Sequence, residues 1–445
     1  MQTYMEVRSV CRISFGGINN MENEKKPKVG IVGCGGRGYG VIRDVLIGLI
    51  PREISIAAVC DKYPDRASAA ADLIGAADGA ERPAEYTDYK ELCDIVHPDA
   101  LFVYSAWESH FDIAIYAMKK GIPVGFEVGG AYSIEKLWEL CRTYEETGTP
   151  CMMLENCCYG ECELMTLRMV REGVFGDIVH CSGGYHHDLR YEITGGIENR
   201  HYRLRNYVGR NCENYPTHEL GPIAKILDIN NGNRMLTLTS MASCSKGASA
   251  YAAKNMPKSI VARQNFAQGD VITTVIKCAA GQTITLTLDT TLPRTYTRAF
   301  TVRGTCGGYF GETDSIYIDD GRYHDFEFCG EKLWGNAAGY CDRYTHPIWQ
   351  NYDPTGGHGG MDYLVTEAFL ESVRNGSRPP IDVYDSASWA AVSVLSEQSI
   401  SLGGMPVPIP DFTNGAWLCR DDIADAPDSC YGLDNKKIAK KYRKQ

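Results

Sequence analysis

The chain has 445 residues, 44% of them apolar and 23% charged; at about 150 residues per domain this allows two or three globular domains and excludes disorder and low-complexity repeats. No run of about 18 apolar residues occurs, so no membrane span is expected, and a net charge of −11, with one basic run from Lys436 to Gln445, argues against a nucleic-acid partner. The 18 cysteines are scattered without a paired C-x-x-C, so neither a zinc site nor a disulfide framework is spelled out and a reducing cytoplasm is the fitting compartment.

Residues 1–27 lack the apolar stretch and small-residue cleavage site of a secretory signal. Met21 opens a charged MENEKKP just before the first strong strand, so residues 1–20 read as an upstream extension from a misplaced start and 1–27 as a mobile extension. From Lys28 the chain alternates apolar runs at 28–33, 54–61, 100–105, 122–128 and 150–157 with amphipathic stretches near 39–50, 65–76, 109–120 and 133–147. Apolar strands of this kind, separated by helices, predict a parallel sheet covered on both faces. After Asn156 the pattern changes. A helix over 160–172 leads to alternating runs at 177–186, 234–242, 271–278, 283–290 and 298–304, with a turn at Ala280-Gly281, which predict antiparallel strands. Helices are expected at 361–375 and 386–402, broken between them at SRPPIDVYD by Pro379 and Pro380.

The first motif with chemistry is Gly33-Cys34-Gly35-Gly36-Arg37-Gly38, a G-x-G-x-x-G placed between a strand and a helix. Gly33 permits the tight turn, Gly35 lets backbone N–H groups approach a pyrophosphate, and Gly38 lets helix and strand pack closely. Asp61 ends the second strand, where a carboxylate accepts hydrogen bonds from ribose hydroxyls and repels a 2′-phosphate, favouring NAD over NADP. Flavin adenine dinucleotide uses the same cradle. The fold expected is therefore α/β: a Rossmann dinucleotide-binding domain over 28–156, then an α+β domain over 157–420 with an open, mainly antiparallel sheet. The late helices are placed either in that second domain or back against the first, and 421–445 form a charged tail.

A second cluster lies in GGYHHDLR (183–190), NRHYRLRN (199–206) and NCENYPTHELGPI (211–223), rich in groups that transfer protons at hydroxyls. Pro216 and Thr217 precede an apolar helical pattern, so Tyr215 and His218 stand one turn apart at a helix entrance, on roughly one face. His186 and His187 alternate along a strand, so at most one faces a site. Arg203 is a site candidate because its surroundings are aromatic, and Arg190 reads equally as a surface residue. There is no G-x-S-x-G, no H-E-x-x-H and no metal-ligand spacing, so a serine or zinc mechanism is unsupported and no metal is expected. A paired-carboxylate glycosidase stays open. Gly356-Gly357-His358-Gly359-Gly360 reads as a flexible cap or lid before the helix at 361.

From Lys28 to Trp417 the chain resembles the Gfo/Idh/MocA oxidoreductases, and within them glycoside hydrolase family 109, whose typical member is an NAD-dependent α-N-acetylgalactosaminidase. The resemblance is carried by Glu127-Val128-Gly129-Gly130-Ala131, where dehydrogenases of the superfamily have Glu-Lys-Pro. LENCCY (154–159), REGVFGDIVH (171–180), GYHHDLR (184–190), YPTHELGP (215–222), GDVITTVIK (269–277), LPRTYT (292–297), GHGGMDY (357–363), PIDVYD (380–385) and SEQSISLGG (396–404) match in order. It implies that Gly36-Arg37, Asp61, the segment from Trp107 to His110, Glu127-Val128 and Asn156 contact NAD. It likewise implies that Tyr185, Arg203, Tyr215, Pro216, Thr217, His218 and Tyr296 contact a sugar. In the implied mechanism His218 helps deprotonate the C3 hydroxyl as the sugar is oxidised by tightly bound NAD. Tyr185 or Tyr215 then moves the C2 proton, the C1–O bond leaves by elimination, water adds, and C3 is reduced again.

This sequence departs from the family where Glu219 follows His218 in place of glycine, where the segment between Tyr185 and Tyr215 is shorter, and where the usual export signal is missing. The alternatives are an NAD-dependent sugar or inositol dehydrogenase with exchangeable cofactor, or a non-catalytic sugar sensor. By the same resemblance the open sheet supports a homo-oligomer, a dimer or tetramer.

Overall fold

The computed structural model describes residues 26–321, 326–350, 352–420 and 431–433; the expected extension before residue 26 and most of the charged tail lie outside the described residues. In the N-terminal part, β1 (Lys28–Val32), β2 (Ser55–Cys60), β3 (Ala84–Tyr86), β4 (Ala100–Val103), β5 (Val124–Phe126) and β6 (Cys151–Met153) form one sheet in the order β3-β2-β1-β4-β5-β6. Every pair runs parallel. Strand order reverses between β1 and β4, so the crevice at their carboxyl ends is the ligand position of an open α/β sheet.

The five predicted strands are present but shorter. Residues 104–105, 127–128 and 154–157 leave the sheet and carry Tyr104, Glu127 and Asn156 into that crevice, with Glu155 buried behind His218. The short β3 gave no apolar run because two of its three residues are exposed. The first helix begins at Gly36, earlier than expected, because the glycine turn is itself the helix N-terminus; a π-helical turn at Ile42–Leu46 carries it on to Leu49.

The second sheet has eight strands, with β7 (Ile178–His186), β8 (Met235–Ala242), β9 (Val271–Cys278), β10 (Thr283–Asp289), β11 (Thr301–Gly304), β12 (Gly307–Phe310), β13 (Ser315–Ile318) and β14 (Val407–Pro408) in the order β13-β12-β11-β7-β10-β9-β8-β14. It is mainly antiparallel. One pair departs from the expectation, since β10 runs parallel to β7, Thr283 opposite His180 through Asp289 opposite His186. Strand β7 therefore carries its C-terminal residues, Tyr185 and His186, to the same edge as the end of β10. The run predicted from residue 298 starts only at Thr301, because Ala299 takes a left-handed conformation at φ +47°. Strands β9 and β10 alternate between buried and more exposed residues, so one face is covered. Helices Thr217–Ile226 and Val383–Ser401 pack on this sheet, against β7 and β8 respectively. The latter also packs on helix Ile134–Thr147 and β6 of the first sheet, joining the two halves. It starts three residues before the predicted position because the Asp382 carboxylate accepts the Tyr384 and Asp385 N–H groups.

Candidate active site

A cavity of about 950 Å³ runs from the carboxyl ends of β1, β2 and β4 to the start of helix Thr217–Ile226. At one end the glycines have the geometry a dinucleotide cradle needs. Gly33 sits at φ +96°, and a Cβ there would lie 2.4 Å from the Ser105 nitrogen. A Cβ on Gly38 would lie 1.9 Å from the Gly33 carbonyl oxygen, whereas one on Gly36 would meet nothing within 4 Å, so Gly36 presents open backbone to the cavity. Asp61 is held at the lip by the Cys34 N–H to Oδ2 at 2.8 Å and the Tyr63 N–H to Oδ1 at 2.9 Å. The Tyr63 ring lies beneath two guanidinium groups, Arg66 at 5.0 Å and Arg200 at 4.4 Å. An open glycine backbone at a helix N-terminus, a carboxylate following the second strand and a flat aromatic beside cations together fit a dinucleotide.

At the other end His218 Nδ1 lies 2.7 Å from Glu155 Oε1, which also accepts the Cys157 N–H at 3.0 Å. Burial pushes the Glu155 carboxyl up, but the adjoining His218 outweighs it and holds the group below its usual range. With Glu155 charged and accepting, the Nδ1–H donates to it and Nε2 is the ring nitrogen left for a ligand. The Tyr185 hydroxyl is 3.0 Å from His187 Nδ1, and its ring stacks obliquely on Tyr215 with centroids 4.3 Å apart. Burial raises the Tyr185 phenol to about 12 and the Tyr215 phenol well above its ordinary value, so neither ionises unaided at neutral pH. Arg203 lies over both Trp107 and Tyr215, at 5.2 and 5.1 Å, and pairs with Glu192 at 2.6 Å. Behind this wall Glu219 is buried against β7, where a Cβ on Gly183 would come 2.8 Å from the Glu219 Cβ. Desolvation pushes the Glu219 carboxyl well above the ordinary carboxylate range.

The structure brings eleven of the sequence-predicted residues to the cavity wall: Gly33, Gly35, Gly36, Arg37, Asp61, Glu127, Asn156, Tyr185, Arg203, Tyr215 and His218. It places others behind the wall. Gly38 packs against Gly33, Trp107 is buried under Tyr202 with ring centroids 4.8 Å apart, His110 hydrogen-bonds the Ser105 carbonyl, and Val128 donates its N–H to Glu127. Pro216 and Thr217 turn the chain into the helix and do not face the cavity. Tyr296, half exposed, stands at the rim 5.1 Å from His187. Of the adjacent histidines His187 faces the site and His186 does not. Sequence reasoning missed Glu155, whose signal was a charged residue at the end of the apolar run 150–157. It also missed the pairing of His358 with Asp362 beside Arg37. No ligand spacing in the sequence suggested a metal, yet the fold brings one atom each of Glu155, Cys157 and His218 within 4.8 Å of one another.

A glycine cradle on a parallel sheet, opening toward a second, mainly antiparallel sheet, defines the class of NAD-binding Gfo/Idh/MocA-type proteins. The model of the NAD-binding Rossmann fold of that oxidoreductase family matches residues 27–155, and the model of the glycosyl hydrolase 109 C-terminal domain matches residues 159–419. The chain belongs to glycoside hydrolase family 109. It is 36% identical over 435 residues to an alpha-N-acetylgalactosaminidase of Tannerella forsythia, covering 90% of each chain. It is 38% identical over 411 residues to glycosyl hydrolase family 109 protein 1 of Akkermansia muciniphila, covering 88% of this chain and 83% of that one. Among solved structures, levoglucosan dehydrogenase with NADH and levoglucosan superposes with a TM-score of 0.66 at 16% identity, covering 87% of this chain and 100% of that one. An inositol dehydrogenase homologue with NAD+ from Azotobacter vinelandii superposes at 0.63 with 16% identity, covering 88% and 100%. These two share the fold. NAD is the cofactor that the N-terminal cradle serves.

Proposed function

We propose that this protein hydrolyses α-linked N-acetylgalactosaminides, keeping NAD in the cradle while His218 and Tyr185 move the protons. The observation that carries this reading is that the glycine cradle, His218 with Glu155 buried behind it, and the Tyr185–His187 pair meet at one cavity. The Tannerella relative's activity supplies the sugar. Gly33, Gly35, Gly36, Asp61, Glu127 and Asn156 would hold the cofactor, with Trp107, His110 and Val128 supporting them from behind.

When bound, NAD supplies reversible oxidation of the sugar C3 hydroxyl to a ketone, which makes the C2–H acidic. His218 Nε2 accepts the C3 hydroxyl proton, its tautomer fixed by Glu155. Tyr185 takes the C2 proton and passes its phenolic proton to His187 Nδ1, an acceptor that Tyr215 does not share, so the structure favours Tyr185 over Tyr215 for this step. Tyr215 and Arg203 then form the wall that orients the sugar, with Tyr296 at the rim. As the C1–O bond breaks, the leaving oxygen takes the proton held by His187. Water then adds, its hydroxide to C1 and its proton to the Tyr185–His187 pair as Tyr185 returns a proton to C2, and His218 returns the C3 proton, so there is no net redox change. The site needs no paired carboxylates for this chemistry.

Release of nitrophenol from nitrophenyl α-N-acetylgalactosaminide without added NAD, by protein whose denatured extract holds stoichiometric NAD, is the expected result. No aglycone release, with NADH accumulating when free sugars and NAD are added, would replace this reading with a sugar or inositol dehydrogenase. The division into a cofactor domain over 28–156 and a sugar domain over 157–420 belongs to the same proposal. So does assembly as a homo-oligomer through the outer face of the second sheet, where Val179, Met241 and Val275 are exposed. A cytoplasmic setting is consistent with the free thiols of buried cysteines such as Cys34, Cys93 and Cys141. Among those residues no helix is long and apolar enough to cross a membrane.

A further inference from the structure

The segment 356–362 comes from the C-terminal half of the chain but lies against the cofactor end of the cavity. Gly356, His358, Gly359 and Gly360 all take left-handed conformations, at φ +82°, +53°, +64° and +93°. The glycines are needed for close approach as well. A Cβ on Gly356 would lie 3.1 Å from the Asp44 carbonyl oxygen of the first helical segment, and one on Gly357 would lie 2.5 Å from Asp362 Oδ2. This wrapped turn delivers Asp362 to the first turn of helix Met361–Asn375.

Asp362 is 2% exposed and does not face the cavity, yet four donors from cavity-lining residues converge on it. Arg37 Nη1 donates to Oδ2 at 2.6 Å and Nη2 to Oδ1 at 2.9 Å. Asn156 Nδ2 donates to Oδ1 at 2.7 Å, and His358 Nδ1 lies 2.9 Å from Oδ2. Arg37 in turn donates through Nε to Glu127 Oε2 at 2.5 Å. Burial works to raise the Asp362 carboxyl, but His358 and Arg37 overcome it and hold the group far below its ordinary range, so it is an anion at any working pH.

We infer that Asp362 is a positioning residue for cofactor retention: from the second half of the chain it fixes Arg37, Asn156, His358 and, through Arg37, Glu127 around the bound NAD. The inference rests on the retained-cofactor reading above and deepens it, since it says why a cradle that many dehydrogenases use for exchangeable NAD would here keep it. The expected signature is in the rate of cofactor release, because the four cavity groups keep their chemistry and lose only their common anchor.

The test is a pulse-chase on the holoenzyme, loaded with radiolabelled NAD+ and diluted into excess unlabelled NAD+, with apoprotein melting measured in parallel. Asp362→Asn is expected to release label about tenfold or more faster than the wild type. His358→Ala, a change at a half-exposed side chain, is expected to release it several-fold faster with a smaller drop in apoprotein melting temperature than Asp362→Asn. Equal release from wild type and both variants overturns the inference, as does a drop in apoprotein stability with no change in release. A wild-type protein that itself gives up its label within the first minutes overturns the retained-cofactor reading and this inference together, which separates the two failures. Should Asp362→Asn not fold, His358→Ala alone decides by the same rates.

Discussion

His218 and Glu155 act as one unit, so their removal is expected to read out in different ways. His218→Ala should cost on the order of 10²- to 10⁴-fold in kcat on a nitrophenyl glycoside while stoichiometric NAD stays bound. Full activity in that variant would remove His218 from the mechanism. Glu155→Gln keeps the size of the side chain but can present Nδ1 of His218 with either a donor or an acceptor, so it should lower kcat with little change in KM. Tyr185→Phe should abolish exchange of the C2 proton with solvent deuterium, followed by NMR, whereas Tyr215→Phe should preserve it. The histidine and tyrosines were legible in the sequence because polar rings cluster there and because Pro216 marks a helix entrance. Glu155 was not. Its partner lies on another element 63 positions along the chain, and only folding brings the two together.

At the scale of elements, the cradle depends on the approach of strand to helix. Gly38→Ala would drive a methyl group into the Gly33 carbonyl oxygen, a backbone atom that cannot swing aside. The variant is expected to lose about 1–3 kcal/mol of stability and to purify without NAD, which denaturant melts and the absorbance of the denatured extract would check. The main elements were readable because nearly continuous apolar strands and helical amphipathicity differ in period. Three kinds of element were not. Strand β3 is mostly exposed and so carries no apolar signal. Strands β12 and β13 are four residues each, too short for alternation to show. The parallel pairing of β10 with β7 is a matter of topology, which alternation alone does not encode.

For the whole molecule, buried carboxylates set how stability varies with pH. Glu213 is fully enclosed, and burial raises its carboxyl to about 8. An unfolded chain releases this proton near about 4.3. Between the two values the folded state holds a proton that the unfolded state has lost, so stability falls as pH rises through this window. Glu213→Gln imitates the protonated form. Its melting temperature should exceed that of the wild type by a margin that grows from pH 5 to pH 8, with a ceiling on the order of 4 kcal/mol. A gap that stays constant with pH would show that the carboxyl is ionised throughout.

The two sheets were legible as distinct because their strand patterns differ, but the contacts between the elements around them were not, since they lie in glycine-rich and polar segments without periodicity. Arg66 donates to the Asn199 carbonyl, Arg200 pairs with Asp65, and Arg37 reaches Asp362 across 325 positions of chain. That last separation bears on when the cofactor arrives. During synthesis the glycine cradle leaves the ribosome and can fold while the residue that anchors its arginine has yet to be made. The growing chain therefore exposes its glycine motif before Asp362 exists, and the anchor on Arg37 forms only as the final fifth of the protein is completed.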